Sequence, residues 1–267
     1  FFGLMGGERE GGGGGVKGRQ RVWDDEELYG KLFHLSTQNR AVRATVQIPD
    51  DTVRSFVSMG FATVNRWGIW DHVRDIWYDF PGGERQLDKR MREHGDMFVA
   101  RSIALFSDVI NNRLYERVRE KGGLVYSVDM SFDPMFYADA GFFTISLAAF
   151  PDKIEIAIEL VKTILAQVQA EGITEKELEA SRRPTLVEVR QNLERNGYWL
   201  SLMQGIQSDQ TQPKTLFSVE NICEKYEELT AEEISGVARC VLKGFNERLV
   251  VSTGLSGKYA NITVTND

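Results

Sequence analysis

Two cysteines in 267 residues are too few for a disulfide framework, and Cys223 and Cys240 lack metal-ligand spacing, so both are expected to be thiols of a reducing compartment. Histidine is as scarce: His34, His72 and His94 are far apart, and neither HxxEH nor HExxH occurs. A helix needs two imidazoles one turn apart to hold zinc with a glutamate beside the bound water, so no metal site is expected in this chain. No apolar run approaches the ~20 residues of a membrane-spanning helix, and nothing at the start reads as a signal peptide. Basic excess is missing too. With 39 acidic against 32 basic residues, a net charge of -7 and a pI near 5.2, neither nucleic acid nor membrane is expected as a partner. The chain begins at Phe1, so a piece of a longer polypeptide is expected, its targeting segment lying elsewhere.

What is present is a core. Hydrophobic residues make up 42% and charged residues 27%, a globular balance. Residues 1–38 carry a five-glycine run and Asp24-Asp25-Glu26-Glu27, and read as a disordered linker without a phosphate-loop ending. Residues 39–255 form the expected domain, and 256–267 a loose tail. Val42, Ala44, Val46 and Ile48 alternate with polar residues as in a half-buried strand, and a second strand is expected over 55–64. Residues 69–91, with Trp70, Trp77, Tyr78 and Phe80, read as irregular. A helix follows from about Arg92 to Asn111, disturbed at Asn111-Asn112, then strands near 124–132 and 141–150. Pro151-Asp152 opens an amphipathic helix that stops at Gly172. Thr174-x-x-Glu177 and Thr230-x-x-Glu233 are capping boxes, in which threonine and glutamate satisfy each other's end of the helix, and Pro184 should kink or interrupt the first of these helices. Arg248 to Thr253 reads as a closing strand. The order implies an α+β fold, a mostly antiparallel sheet with helices on one face in two layers.

The most informative stretch runs Asn112-Arg113-Leu114-Tyr115-Glu116-Arg117-Val118-Arg119-Glu120-Lys121-Gly122-Gly123-Leu124-Val125-Tyr126-Ser127-Val128. A polar helix end meets a glycine pair and then a strand, which places Arg119 and Tyr126 on either side of one turn. A permanently charged planar fork and a neutral hydroxyl together suit a carbonyl oxygen gaining negative charge. Spacing alone leaves a plainer reading open, in which Arg119 complements the helix dipole and Tyr126 packs on a strand neighbour.

This stretch resembles the signature of the second, zinc-free domain of pitrilysin/insulinase-type zinc metallopeptidases, the inverzincins. The likeness extends over residues 40 to 255, through Gly141-Phe142-Phe143, Gly172-Ile173-Thr174-Glu175 and Asn196-Gly197-Tyr198-Trp199-Leu200. The last segment, with Asn65-Arg66-Trp67-Gly68, is most similar to the stromal processing peptidases of plastids and their parasite homologues. The resemblance implies a zinc ion and HxxEH motif in a separate domain, in the same polypeptide or a partner subunit. It further implies a peptide substrate of the transit or presequence kind, a plastid-type organelle, and Arg119 and Tyr126 as accessory catalytic residues. This chain alone is expected to be inactive. A non-catalytic family member acting as scaffold or partner subunit is the alternative, and an interaction module built on the Trp-rich 67–80 segment a third. Ser127 has no nearby histidine or nucleophile-elbow glycines, and Glu227-Glu228 reads as solvated charge, so neither serine nor paired-carboxylate hydrolysis is expected.

Overall fold

The computed structural model describes residues 42–48, 55–68, 76–133, 140–204, 206 and 214–256, all within one compact unit, Ser36–Asp267. The expected linker, residues 257–267 of the expected tail, Trp70, His34 and His72 lie outside the described residues, while Ser256, read as the start of the tail, is buried at the end of a strand. Five strands, β1 (Val42–Ile48), β2 (Ser55–Thr63), β3 (Val125–Asp133), β4 (Gly141–Ala149) and β5 (Val250–Ser256), form one sheet in the order β1-β5-β2-β4-β3. Every pairing is antiparallel except β1 with β5. The last strand therefore sits inside the sheet, between β1 and β2, rather than closing it at an edge. Its inward residues Val251, Thr253 and Leu255 are buried, which an edge position would not require.

The helix layer is built on α2 (Phe98–Leu114), which follows α1 (Gly83–Glu93). Ile103, Phe106, Ile110 and Leu114 are fully buried, as are Phe143, Ile145 and Leu147 on one face of β4. The rings of Phe106 and Phe143 meet edge-on at 6.1 Å. Around α2 pack α3 (Ile154–Glu171), α4 (Glu175–Leu193) and α8 (Ala231–Val241), with α5 (Asn196–Met203), α6 (Leu216–Val219), α7 (Ile222–Glu227) and α9 (Phe245–Arg248) as short connectors. The opposite face carries small polar residues: Ser252, Ser58, Ser146 and Asp129 stand side by side across β5, β2, β4 and β3. No described helix covers them, so the architecture is two-layered, as the element order implied.

Four local expectations need correction. Helix α1 occupies residues read as irregular. Of its side chains only Leu87 is buried, so the sequence shows no apolar stripe to reveal it. The helix expected from Arg92 instead begins at Phe98, because Gly95 and Asp96 both take left-handed backbone, φ 59°, and break the chain between α1 and α2. It also runs unbroken through Asn111-Asn112, whose amides face outward to partners: Asn111 Nδ2 donates to the Met130 carbonyl at 2.8 Å, and its Oδ1 accepts from the Met130 N–H at 2.7 Å. Pro184 does not interrupt α4. It lies on the exposed side together with Ala180, so the carbonyl deprived of its helical partner can bond water. Both capping boxes form as read, with Glu177 and Glu233 N–H groups bonding the threonine hydroxyls. The aromatic segment divides: Trp67, Trp77 and Phe80 are buried, Trp77 Nε1 donates to the Gly68 carbonyl at 2.8 Å, and Tyr78 is exposed.

Candidate functional site

Beyond Leu114 the helix widens. Over Tyr115–Glu120 the turns lengthen, and the Lys121 N–H reaches the Glu116 carbonyl, five residues back, at 2.9 Å. The wider turn inserts one residue into the spiral, and such insertions concentrate where a side chain must be re-aimed. Val118 stays fully buried, so the displacement falls on its exposed neighbours, Arg119 among them. Gly123, φ 55°, then reverses the chain, letting its N–H bond the Arg119 carbonyl at 3.0 Å and the Leu124 N–H bond the Val118 carbonyl at 3.1 Å. Lys153 clamps the turn from outside by donating to the Gly123 carbonyl at 2.9 Å.

A second irregularity follows at once. Val125 pairs with Ala149, but Ser127 pairs with Ala148, leaving Tyr126 as the extra residue of a β-bulge on edge strand β3. The bulge resets the alternation, so that Val125 is buried and Val128, Met130 and Phe132 then face the helices, while Tyr126 and Ser127 are both exposed. The sequence carries this signal as an apolar spacing of three, then two, then two, which regular alternation cannot satisfy.

Arg119 and Tyr126 thus stand on two consecutive backbone irregularities bracketing Gly122-Gly123. Each rests on an aromatic ring: the Arg119 guanidinium lies 5.0 Å from the Tyr115 centroid, and the Tyr126 ring 4.7 Å from that of Phe150. Tyr126 is 52% exposed. The rest of the basic cluster is engaged. Arg113 donates to both carboxylate oxygens of Glu177 and to the Gly172 carbonyl, Arg117 to Gln167, and Lys121 to Glu116. Among the described residues, Arg119 and Tyr126 make no side-chain hydrogen bond and no ion pair, with each other or with any neighbour. Among the described residues their donors have no partner, which leaves them available to an acceptor from outside the chain.

Metal chemistry does not fit the described residues. No group of three or more His, Cys, Asp or Glu side chains converges among them. His94 is fully buried, its ring edge-on to Phe98 at 5.3 Å, and burial, with Arg90, Arg101 and Lys225 nearby, pushes it down to about 3. Both cysteines are free thiols, and burial pushes Cys240 up to about 12. Among the described residues no helix is long and apolar enough to cross a membrane.

The comparisons with known proteins bear on the same stretch. Residues 102–184, from α2 into α4, match the family model described as the Peptidase M16 inactive domain. The chloroplastic stromal processing peptidase of Arabidopsis thaliana is 28% identical over 184 residues, 69% of this chain and 14% of that protein. Its counterpart from Oryza sativa subsp. indica is 26% identical over 235 residues, 83% of this chain and 19% of that protein. The chain therefore spans less than a fifth of these relatives. In fold it is similar to the crystal structure of a peptidase M16 inactive domain from Pseudomonas fluorescens, with a TM-score of 0.60 and 18% identity, covering 84% of this chain and 45% of that one.

Proposed function

We propose, from the match of residues 102–184 to the Peptidase M16 inactive domain model, that this chain is the substrate-holding, zinc-free domain of a zinc metalloendopeptidase. In this reading zinc and its HxxEH motif sit in another domain, in cis or in trans, and Arg119 and Tyr126 are lent to that site across the interface. By likeness to relatives named chloroplastic stromal processing peptidase, the same reading takes transit-type peptides as the substrates and a plastid-type organelle as the location.

The observation that carries the catalytic part is the state of the two donors. In a cluster of four cations, three are bound to partners within the chain, while the Arg119 guanidinium and, across the glycine turn, the Tyr126 ring each rest on an aromatic ring and have no side-chain hydrogen bond among the described residues. A donor already fixed in direction loses little on meeting a developing oxyanion, so its bond strengthens in the transition state more than in the bound substrate. Arg119 supplies charge and a planar fork; Tyr126 supplies one neutral O–H.

The test uses the complete protein with its zinc domain. Tyr126→Phe should leave Tm and KM nearly unchanged and lower kcat by roughly 10²-fold to 10³-fold, on oxyanion-hole precedent. Arg119→Lys should also be impaired, because charge without the fork is insufficient. An unchanged kcat in Tyr126→Phe refutes the catalytic role and leaves the scaffold reading in its place.

A further inference from the structure

Away from the turn, a partly enclosed cavity of about 360 Å³ opens where the start of α2 meets α5 and α7. Its wall carries three cations, Arg66, Arg101 and Lys214, together with the phenols of Tyr198 and Tyr226 and the hydroxyl of Ser201. No carboxylate lines it among the described residues. Met97 and Ala100 bring the N-terminal end of α2 to the same wall, and that helix start has neither a side-chain cap nor an acidic residue in its first turn. The unneutralised N–H groups of a 17-residue helix therefore add to the positive potential.

The cations are not equivalent. Arg101 is 4% exposed, and its two terminal nitrogens are used by the His94 and Ser218 carbonyls. It is a structural strut, like Arg182 on the Leu229 carbonyl and Arg248 on that of Ala62. Lys214 is different. It is 8% exposed, yet its ammonium has three donors and makes one hydrogen bond, to the Gln204 carbonyl at 3.1 Å. Burial first, and then the like charge of Arg66, holds it below its ordinary value. Arg66 is held down by burial, against the attraction of Asp133. A buried ammonium with two unused donors, facing a polar cavity beside a second cation, is the arrangement an oxyanion relieves.

We infer that this cavity is an oxyanion-binding site, with Lys214 and Arg66 supplying charge, Tyr198 supplying a neutral donor, and the start of α2 supplying its dipole. The ligand is a carboxylate or phosphate group small enough for 360 Å³. Its source is a free inorganic or organic anion, or an acidic side chain of a bound peptide. This inference does not depend on the peptidase reading, since its test measures binding and not turnover.

The full chain is titrated with inorganic phosphate and, separately, with N-acetyl-glutamate amide, at constant ionic strength set with chloride. Binding is followed by calorimetry and by the shift in Tm. The expected result is saturable binding of at least one of the two, with a rise in Tm that chloride alone does not give. Phosphate preference points to a free anion, preference for the capped glutamate to an acidic peptide side chain. Lys214→Met should weaken binding by about tenfold or more, because a charged hydrogen bond is lost. Its ligand-free Tm should be equal or higher, because an under-partnered buried charge is gone. If Lys214→Met does not fold, Tyr198→Phe provides the weakened variant and Lys214→Arg the one that retains binding. Absence of binding by both probes, or affinity undiminished in Lys214→Met and Tyr198→Phe, overturns the inference.

Discussion

Glu177→Gln is the perturbation whose size and pH dependence the structure defines most completely. The Glu177 carboxylate ties three things together. It accepts from Arg113 Nε at 2.6 Å and Nη2 at 2.9 Å, from the Thr174 backbone N–H at 2.8 Å and from the Thr174 hydroxyl at 2.8 Å. One side chain thus caps α4 and locks it to the end of α2, one residue before the widened turn that carries Arg119. The Arg113 bonds first, and then those of Thr174, hold this carboxyl down at about 2, against an ordinary 4.5. At about 1.4 kcal/mol per pH unit, that difference is an upper bound of roughly 3.4 kcal/mol, and discounting for a carboxylate 30% exposed leaves about 2 kcal/mol. Glutamine keeps the shape and one amide oxygen, so the loss isolates charge. The folded value is the lower one, so this stability is fully present above the unfolded value of about 4.5 and disappears as pH falls towards 2. Urea denaturation of both proteins, followed by circular dichroism, should give a difference of about 2 kcal/mol at pH 7 that has shrunk by about two-fifths at pH 3.5. A difference below about 0.5 kcal/mol at pH 7, or one of equal size at both pH values, would refute the argument.

Gly123→Ala tests the turn itself: an added Cβ meets nothing within 4 Å, so its cost is that of a side chain at φ 55°, about 1–2 kcal/mol by denaturation, and Gly123→Asn should lose less. Equal stability of all three would mean that the left-handed turn is not needed. The thiols should separate by burial: Ellman's reagent at pH 8 should modify half-buried Cys223 in the native protein and reach Cys240 only on unfolding. Rapid labelling of both would contradict the packing of α8.

The fold class was legible because it follows from periodicity. The strand alternation of β1, the stripe on α3 and the two capping boxes each state their own structure, and the residues around Arg119 carried the family likeness. What escaped were elements without a local signature. Helix α1 buries one side chain, and α6, α7 and α9 are too short to show a period. The cavity beside Lys214 was also hidden, because its cations come from positions 66, 101 and 214 and nothing local relates them.

By itself, then, the sequence determined the two-layer α+β order, the glycine turn between α2 and β3, and the presence of an arginine and a tyrosine on its two sides. Tertiary structure alone decided which cations are free. Arg113, Arg117 and Arg119 look alike in the chain, four and then two residues apart, but Glu177 and Gln167 reach back from α4 and α3 to claim the first two. It also decided that β5 lies inside the sheet, because register is set by pairing with distant strands, and that Tyr126 stands out from β3. The buried faces of Val125, Val128 and Met130 can be satisfied together only if the backbone bulges between Val125 and Ser127, and the residue in the bulge is the tyrosine.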